Sequence, residues 1–167
     1  MDPFFAWVEA TALSVFLRES ASLWVFPFVL ILHTVGLAFF VGSNIAWDVR
    51  VLGFSRGIPL ETLSRYFLVM WIGLWINAVS GVLLLIAYPT KALTNPLFFV
   101  KLALIGAGIA VALRIRRDVR GRAGEADVLP TRVRVLAAAS LACWVAVTFA
   151  GRFLAYTCTR LTVETTC

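Results

Sequence analysis

Four polar side chains stand inside otherwise apolar stretches of this chain. They are His33 in "LILHTVGLAFF", Asn77 in "LWINAVSG", Lys101 in "LFFVKLALIG" and Arg152 in "TFAGRFLAY". His33 is the single histidine of the sequence. Imidazole is a common axial ligand for haem iron. Ammonium and guanidinium groups neutralise carboxylates through charge-assisted hydrogen bonds. An amide can orient a ligating imidazole through its second ring nitrogen. Together the four residues point to a b-type haem or a similar planar anionic ligand. His33 would take the metal, Lys101 and Arg152 the propionates, and Asn77 the free ring nitrogen. Phe40, Phe98 and Phe99 could help to enclose a macrocycle. One histidine gives one axial ligand, so a second would come from another subunit or a non-histidine group. The competing reading is structural: His33 and Asn77 tie two helices together, while Lys101 and Arg152 extend to the surface.

The elements that must position these residues follow from hydropathy. Of the 167 residues 61% are hydrophobic and only 14% charged, against about a quarter charged in soluble domains. Four segments are long enough to cross about 30 Å of hydrocarbon: residues 23–47, 63–88, 96–113 and 133–156. A short aromatic stretch, residues 1–19, reads as a helix lying in the membrane interface. Residues 157–167 form a polar tail. The expectation is an all-α, single-domain membrane four-helix bundle preceded by an interfacial helix. No cleavable signal is expected, because "MDPFFAWVEA" carries acids where a signal carries Lys or Arg. The net charge is +6, but the basic residues cluster at span ends. No basic groove with exposed aromatics is visible, so nucleic acid is not expected as a partner.

Arginine placement sets the expected orientation. Arg50, Arg56 and Arg65 lie between spans one and two. Arg114, Arg116, Arg117, Arg120, Arg122, Arg132 and Arg134 lie between spans three and four. The other side holds only Arg18, Lys91 and Arg160. The positive-inside rule then puts both arginine-rich loops in the cytoplasm and both termini outside, which is the periplasm for a bacterial inner membrane. Counting 1.5 Å per residue from the outer boundary puts Lys101 and Arg152 about 6–8 Å deep and His33 and Asn77 about 15–16 Å deep. All four fall in the outer half. Gly73 and Gly81 flank Asn77 at four-residue spacing, a stripe that admits a close helix or a flat ligand.

Three further groups need a reading. Cys158 and Cys167 lie in the outward tail, where a disulfide would persist; a bridge and two free thiols both remain open. Cys143 reads as packing. In "WDVRVLG", Trp47 is expected to anchor at the interface and Asp48 to pair with Arg65 or Arg114. "RIRRDVRGRAGEAD" reads as a solvated loop against anionic headgroups.

The motifs "LHTVGLAFFVGSNIAWDVRVLG", "NPLFFVKLALIGAG" and "AGRFLAY" resemble an uncharacterised family of small bacterial four-helix membrane proteins. The resemblance covers about His33 to Tyr156 and implies the fold. A more distant resemblance is to the HemJ- and CopD-like haem-binding membrane proteins. His33 and Lys101 match the HemJ first-span histidine and later intramembrane lysine in kind and order, whereas no counterpart of the HemJ C-terminal motif is present. The functional expectation is a b-type haem protein in electron transfer, acting with the lipid bilayer and with other membrane subunits or further copies of itself. The alternatives are a cofactor-free scaffold subunit of a membrane complex, built on small-residue faces such as "GAGIA", and a HemJ-like porphyrinogen oxidase.

Overall fold

The computed structural model describes residues 3–20, 24–54, 57, 59, 65–121 and 129–156. Within them the chain forms helices α1 (Pro3–Glu9), α2 (Ala12–Glu19), α3 (Val25–Leu52), α4 (Tyr66–Ala87), α5 (Pro89–Leu93), α6 (Pro96–Arg120) and α7 (Thr131–Tyr156). The helices α3, α4, α6 and α7 are long and apolar enough to cross a bilayer. The protein is a multi-pass membrane protein, and its four spans pack as a bundle.

Local sequence accounts for the helix ends. Gly53 terminates α3 in the left-handed region at φ 99°, and its N–H and that of Phe54 bond back to Arg50 O and Val49 O at 3.0 and 3.3 Å. This closes the last turn in the way glycine alone permits without strain. Asn95 caps α6 by accepting from Leu97 N at 3.0 Å, with Pro96 occupying the first helical position, where no N–H is required. Pro89 follows Tyr88 and stops α4.

The spans run longer at the arginine-rich end than hydropathy alone suggests. Helix α3 continues past Trp47 to Leu52, and α6 continues to Arg120. Arg114, Arg116 and Arg117 are therefore helical and do not belong to a loop, because arginine is a good helix former and nothing breaks the helix before Gly121. The N-terminal stretch is two helices, not one. Thr11 begins the second, its hydroxyl accepting from Ser14 N at 3.4 Å. Ser14 Oγ donates to Ile86 O at 2.9 Å, and Thr90 Oγ1 donates to Glu9 Oε1 at 2.7 Å. Both short helices thereby dock on the end of α4 and on α5.

In space, α3 packs between α4 and α7, and α7 in turn packs on α6. The buried core lies toward the arginine-rich end, where Phe40, Trp47, Phe67, Met70, Ile115 and Trp144 come together. Phe40 meets Trp144 edge-on at 4.8 Å between ring centroids, and Trp47 meets Phe67 at 5.0 Å. The Arg116 guanidinium sits 4.1 Å above the Phe67 ring, joining α6 to α4. Trp47 is thus a core residue, 4% exposed, and not an interface anchor. Asp48 is not paired with Arg65 or Arg114, both of which are exposed. It is buried in the bundle because its side of α3 faces α7.

Small residues set the helix separations. A Cβ on Gly36 would stand 2.6 Å from Asn77 N, and one on Gly73 would stand 2.5 Å from Phe40 N. Backbones of α3 and α4 touch at these two points. On α6, Gly108 receives the Trp144 ring, with a Cβ there falling 2.8 Å from the indole. Gly106 of the "GAGIA" stretch has nothing within 4 Å.

These contacts give a paired expectation. Gly36→Val and Gly73→Val lower unfolding stability in detergent by about 1–3 kcal/mol each through overpacking. Gly106→Ala has open space and gains helix propensity, up to about 1 kcal/mol. Urea- or SDS-induced unfolding followed by fluorescence measures both. Equal effects at the three positions would contradict the packing described.

Candidate functional site

The His33 ring is held from α4. Its Nδ1 lies 3.1 Å from Asn77 O and 3.1 Å from Ser80 Oγ. A carbonyl only accepts, so Nδ1 carries the proton and donates to Asn77 O. The Asn77 side chain completes the exchange, its Nδ2 donating to His33 O at 2.8 Å. Asn77 therefore orients His33 through its backbone and not through its amide. The reason is the Gly36–Gly73 contact, which brings the two backbones within reach of each other's side chains. Ser80 stabilises the same arrangement while donating to Ile76 O at 2.6 Å. Gly81 leaves room for the ring, since a Cβ there would lie 3.2 Å from the imidazole Cε1. With Nδ1 engaged, Nε2 is the nitrogen left with a lone pair.

Lys101 comes to the same region from α6. Its stem crosses toward α7, where a Cβ on Gly151 would be 3.6 Å from Nζ. Its charge is felt at His33. Each of the four spans thus contributes to one locus: His33 from α3, Ser80 and Gly81 from α4, Lys101 from α6 and Gly151 from α7. Among the described residues no carboxylate pairs with Lys101. The side chain runs inward between helices instead of outward to the nearest surface.

Arg152 does not join them. It is exposed, with Nη2 donating to Tyr156 Oη at 3.4 Å and the guanidinium 5.6 Å from that ring's centroid. Both groups belong to α7, one turn apart, and Tyr156 is 72% exposed. Of the four residues singled out from the sequence, three converge and one faces away. The glycine stripe of α4 is occupied by α3 itself, with Phe40 on Gly73 and His33 on Gly81. Phe40 is fully buried against Trp144, whereas Phe98 and Phe99 meet edge-on at 5.5 Å at the start of α6.

The locus is open on one side. No residue in 96–107 of α6 is buried, and the first buried one is Gly108. Consecutive helices α4 and α6 share no extensive packed face here; Arg116 over Phe67 joins them only at the far end. Ser80, Gly81 and Gly151 were not singled out from the sequence. Ser80 has a readable signal, since it lies three residues after Asn77 and so on the same helix face. Cys143 is a packing residue that donates weakly to Leu104 O at 3.1 Å. Cys158 and Cys167 lie outside the described residues.

The sequence model of a family described as "Family of unknown function (DUF6644)" matches residues 4–157. The chain belongs to that family. No curated protein and no solved structure matches it, so no named relative carries the HemJ- or CopD-like resemblance.

The single histidine makes its geometry directly measurable. In ¹⁵N-histidine-labelled protein the ring nitrogens should report one neutral tautomer with the proton on Nδ1. Ser80→Ala should perturb that signal more than Asn77→Ala, which leaves the Asn77 carbonyl in place. Their stability cost should be small, because interhelical hydrogen bonds in bilayers average about 0.6 kcal/mol and reach about 1.7. A proton on Nε2 would contradict the arrangement.

Proposed function

We propose that this member of the family binds an anionic ligand inside the membrane, in the open half between His33 and Lys101. The observation carrying this reading is Lys101, an inward ammonium with no counter-charge among the described residues. A lysine within the hydrocarbon is costly, up to about 2.5–3.5 kcal/mol at the bilayer centre and less nearer the surface, and no carboxylate among the described residues offsets that here. A carboxylate or phosphate against the Lys101 ammonium would. The imidazole is already oriented by Asn77 O, as ligating or hydrogen-bonding histidines generally are.

The fit to a b-type haem is incomplete. The His33 Nε2 lone pair suits an iron, and Lys101 suits one propionate. Arg152, the second expected cation, is turned to Tyr156, and the stripe that was to admit the ring is filled by α3. A haem would therefore have to sit toward the unburied flank of α6, with its iron ligated on one side by His33. Haem and electron transfer are thus the narrower form of the proposal, and no step is routed through them.

Topology supports the same picture. The arginine-rich ends of α3, α6 and α7 are those that the positive-inside rule holds in the cytoplasm. Both termini, and the His33–Lys101 half, then face the periplasmic side of a bacterial inner membrane. A C-terminal alkaline phosphatase fusion should be active, and an inactive one with an active cytoplasmic reporter would reverse the orientation.

The ligand is tested by native mass spectrometry and absorption of protein purified from haem-replete cells. The expected result is an adduct lost at least tenfold in Lys101→Met and kept in Arg152→Met. A Soret band lost in His33→Ala would identify the adduct as haem. Colourless protein without any Lys101-dependent adduct would overturn the proposal and favour a cofactor-free scaffold subunit.

A further inference from the structure

A second polar locus lies in the other half of the bundle and shares no residue with the first. Asp48 is 1% exposed, and neither carboxylate oxygen has a hydrogen-bond partner among the described residues. The groups around it are few. From α7 it is faced by Ser140, itself fully buried. The Ser140 hydroxyl already accepts from Trp144 Nε1 at 3.1 Å, which leaves its own hydrogen to give. On its own helix, Asn44 lies one turn earlier and is buried, with Nδ2 donating to Phe40 O at 2.7 Å. Arg50, two residues on, points to a different side of α3 and has a partner of its own.

Among the described residues no cation reaches Asp48 from the other elements. Helix α4 carries no Asp, Glu, Lys or Arg at all, and its Tyr66 is exposed. On α6, Arg116 is spent on the Phe67 ring. On α7, Arg132 and Arg134 are exposed. A bare carboxylate in such a place loses its hydration with nothing in return, which costs several kcal/mol. A proton or a metal cation on the carboxylate would relieve that cost. A metal ion needs more oxygen ligands than one carboxyl and one hydroxyl provide, and no group of three His, Cys, Asp or Glu occurs among the described residues.

We propose that Asp48, with Ser140, is an exchangeable proton-binding site within the bundle. A neutral carboxyl satisfies the burial without an ion partner, with Ser140 able to donate to its carbonyl oxygen. Exchange has a route. A narrow cleft between α3 and α4, wide enough for about one water molecule, is lined by Ser43, Asn44, Trp47, Tyr66, Phe67 and Met70. It reaches Asn44, on the Asp48 side of the helix, from half-buried Ser43 and exposed Tyr66. Uptake is a simple protonation: the carboxylate gains a proton from water entering the cleft, which leaves hydroxide behind, and the reverse step returns it.

Infrared difference spectroscopy of the full chain in liposomes tests this. The expected result is a protonated-carboxyl carbonyl band that shifts in D2O, changes reversibly with pH and is absent from Asp48→Asn. Ser140→Ala should shift that band without abolishing it. A band that neither exchanges nor titrates would make Asp48 a sealed structural acid and overturn the proposal. So would a band that disappears on adding sodium at fixed pH, which would mark a metal cation site. Spectra of wild type and Asp48→Asn that coincide at every pH would also overturn it. If Asp48→Asn fails to fold, reaction of wild-type protein with a hydrophobic carbodiimide supplies the second measurement. The adduct should map to Asp48 by peptide mass, and its absence from Asp48 overturns the site. Because His33 and Lys101 are untouched, ligand binding at the other locus is read separately.

Discussion

The backbone contact between α3 and α4 governs the rest of the molecule. Gly36 and Gly73 remove the side chains that would hold the two helices apart. At the resulting distance, each helix can reach the other's carbonyl groups. His33 Nδ1 and Asn77 Nδ2 then donate in opposite directions across the crossing. Hydrocarbon offers no water to satisfy such groups, so a polar side chain in a span needs a protein partner. The exchange meets that need and has a second consequence. It fixes the tautomer and plane of the imidazole, leaving one nitrogen free to act. Their hydrogen bonds are weak individually, so their value lies in orientation more than in stability.

The two halves of the bundle differ in kind. Toward the arginine-rich end, aromatic rings interlock and Arg116 closes α6 onto α4. Toward the other end, α6 buries none of its residues in 96–107. Two short helices and the turn through α5 cover the end of α4 there, held by Ser14, Glu9 and Thr90. A bundle packed alike throughout would leave no room around Lys101. Tight packing in one half supplies rigidity, and the loose half can then hold polar groups whose geometry is set from elsewhere.

Much of this was legible in the sequence, for different physical reasons in each case. The four spans follow from hydropathy, since a bilayer requires length and apolarity before anything else. His33, Asn77 and Lys101 could be grouped because depth in a straight helix is a matter of counting. Arg152 could not be placed by counting. Depth says nothing of which way a helix face turns, and Tyr156, one turn on, takes its guanidinium. Whether the α4 stripe meets a helix or a ligand was also invisible, since glycine serves both. Trp47 and Asp48 were misjudged for a shared reason. The apolar run stops at Trp47, yet the helix continues to Leu52, so both residues lie inside the bundle and not at its edge.

The balance of energies at the polar residues bears on why they are there. Replacing buried ionic groups by apolar ones of similar volume is often neutral or stabilising. A bundle whose only task was to persist would gain nothing from Asp48 or Lys101. Neither is offset in the way the His33–Asn77 pair is, through hydrogen bonds between helices. Trp144 illustrates the contrast: its indole N–H is satisfied by Ser140 and its ring fills the space above Gly108. That is how a polar group enters a membrane interior when structure alone is served. Among the described residues Asp48 and Lys101 have no such hydrogen-bonded partner, and they lie in opposite halves of the bundle.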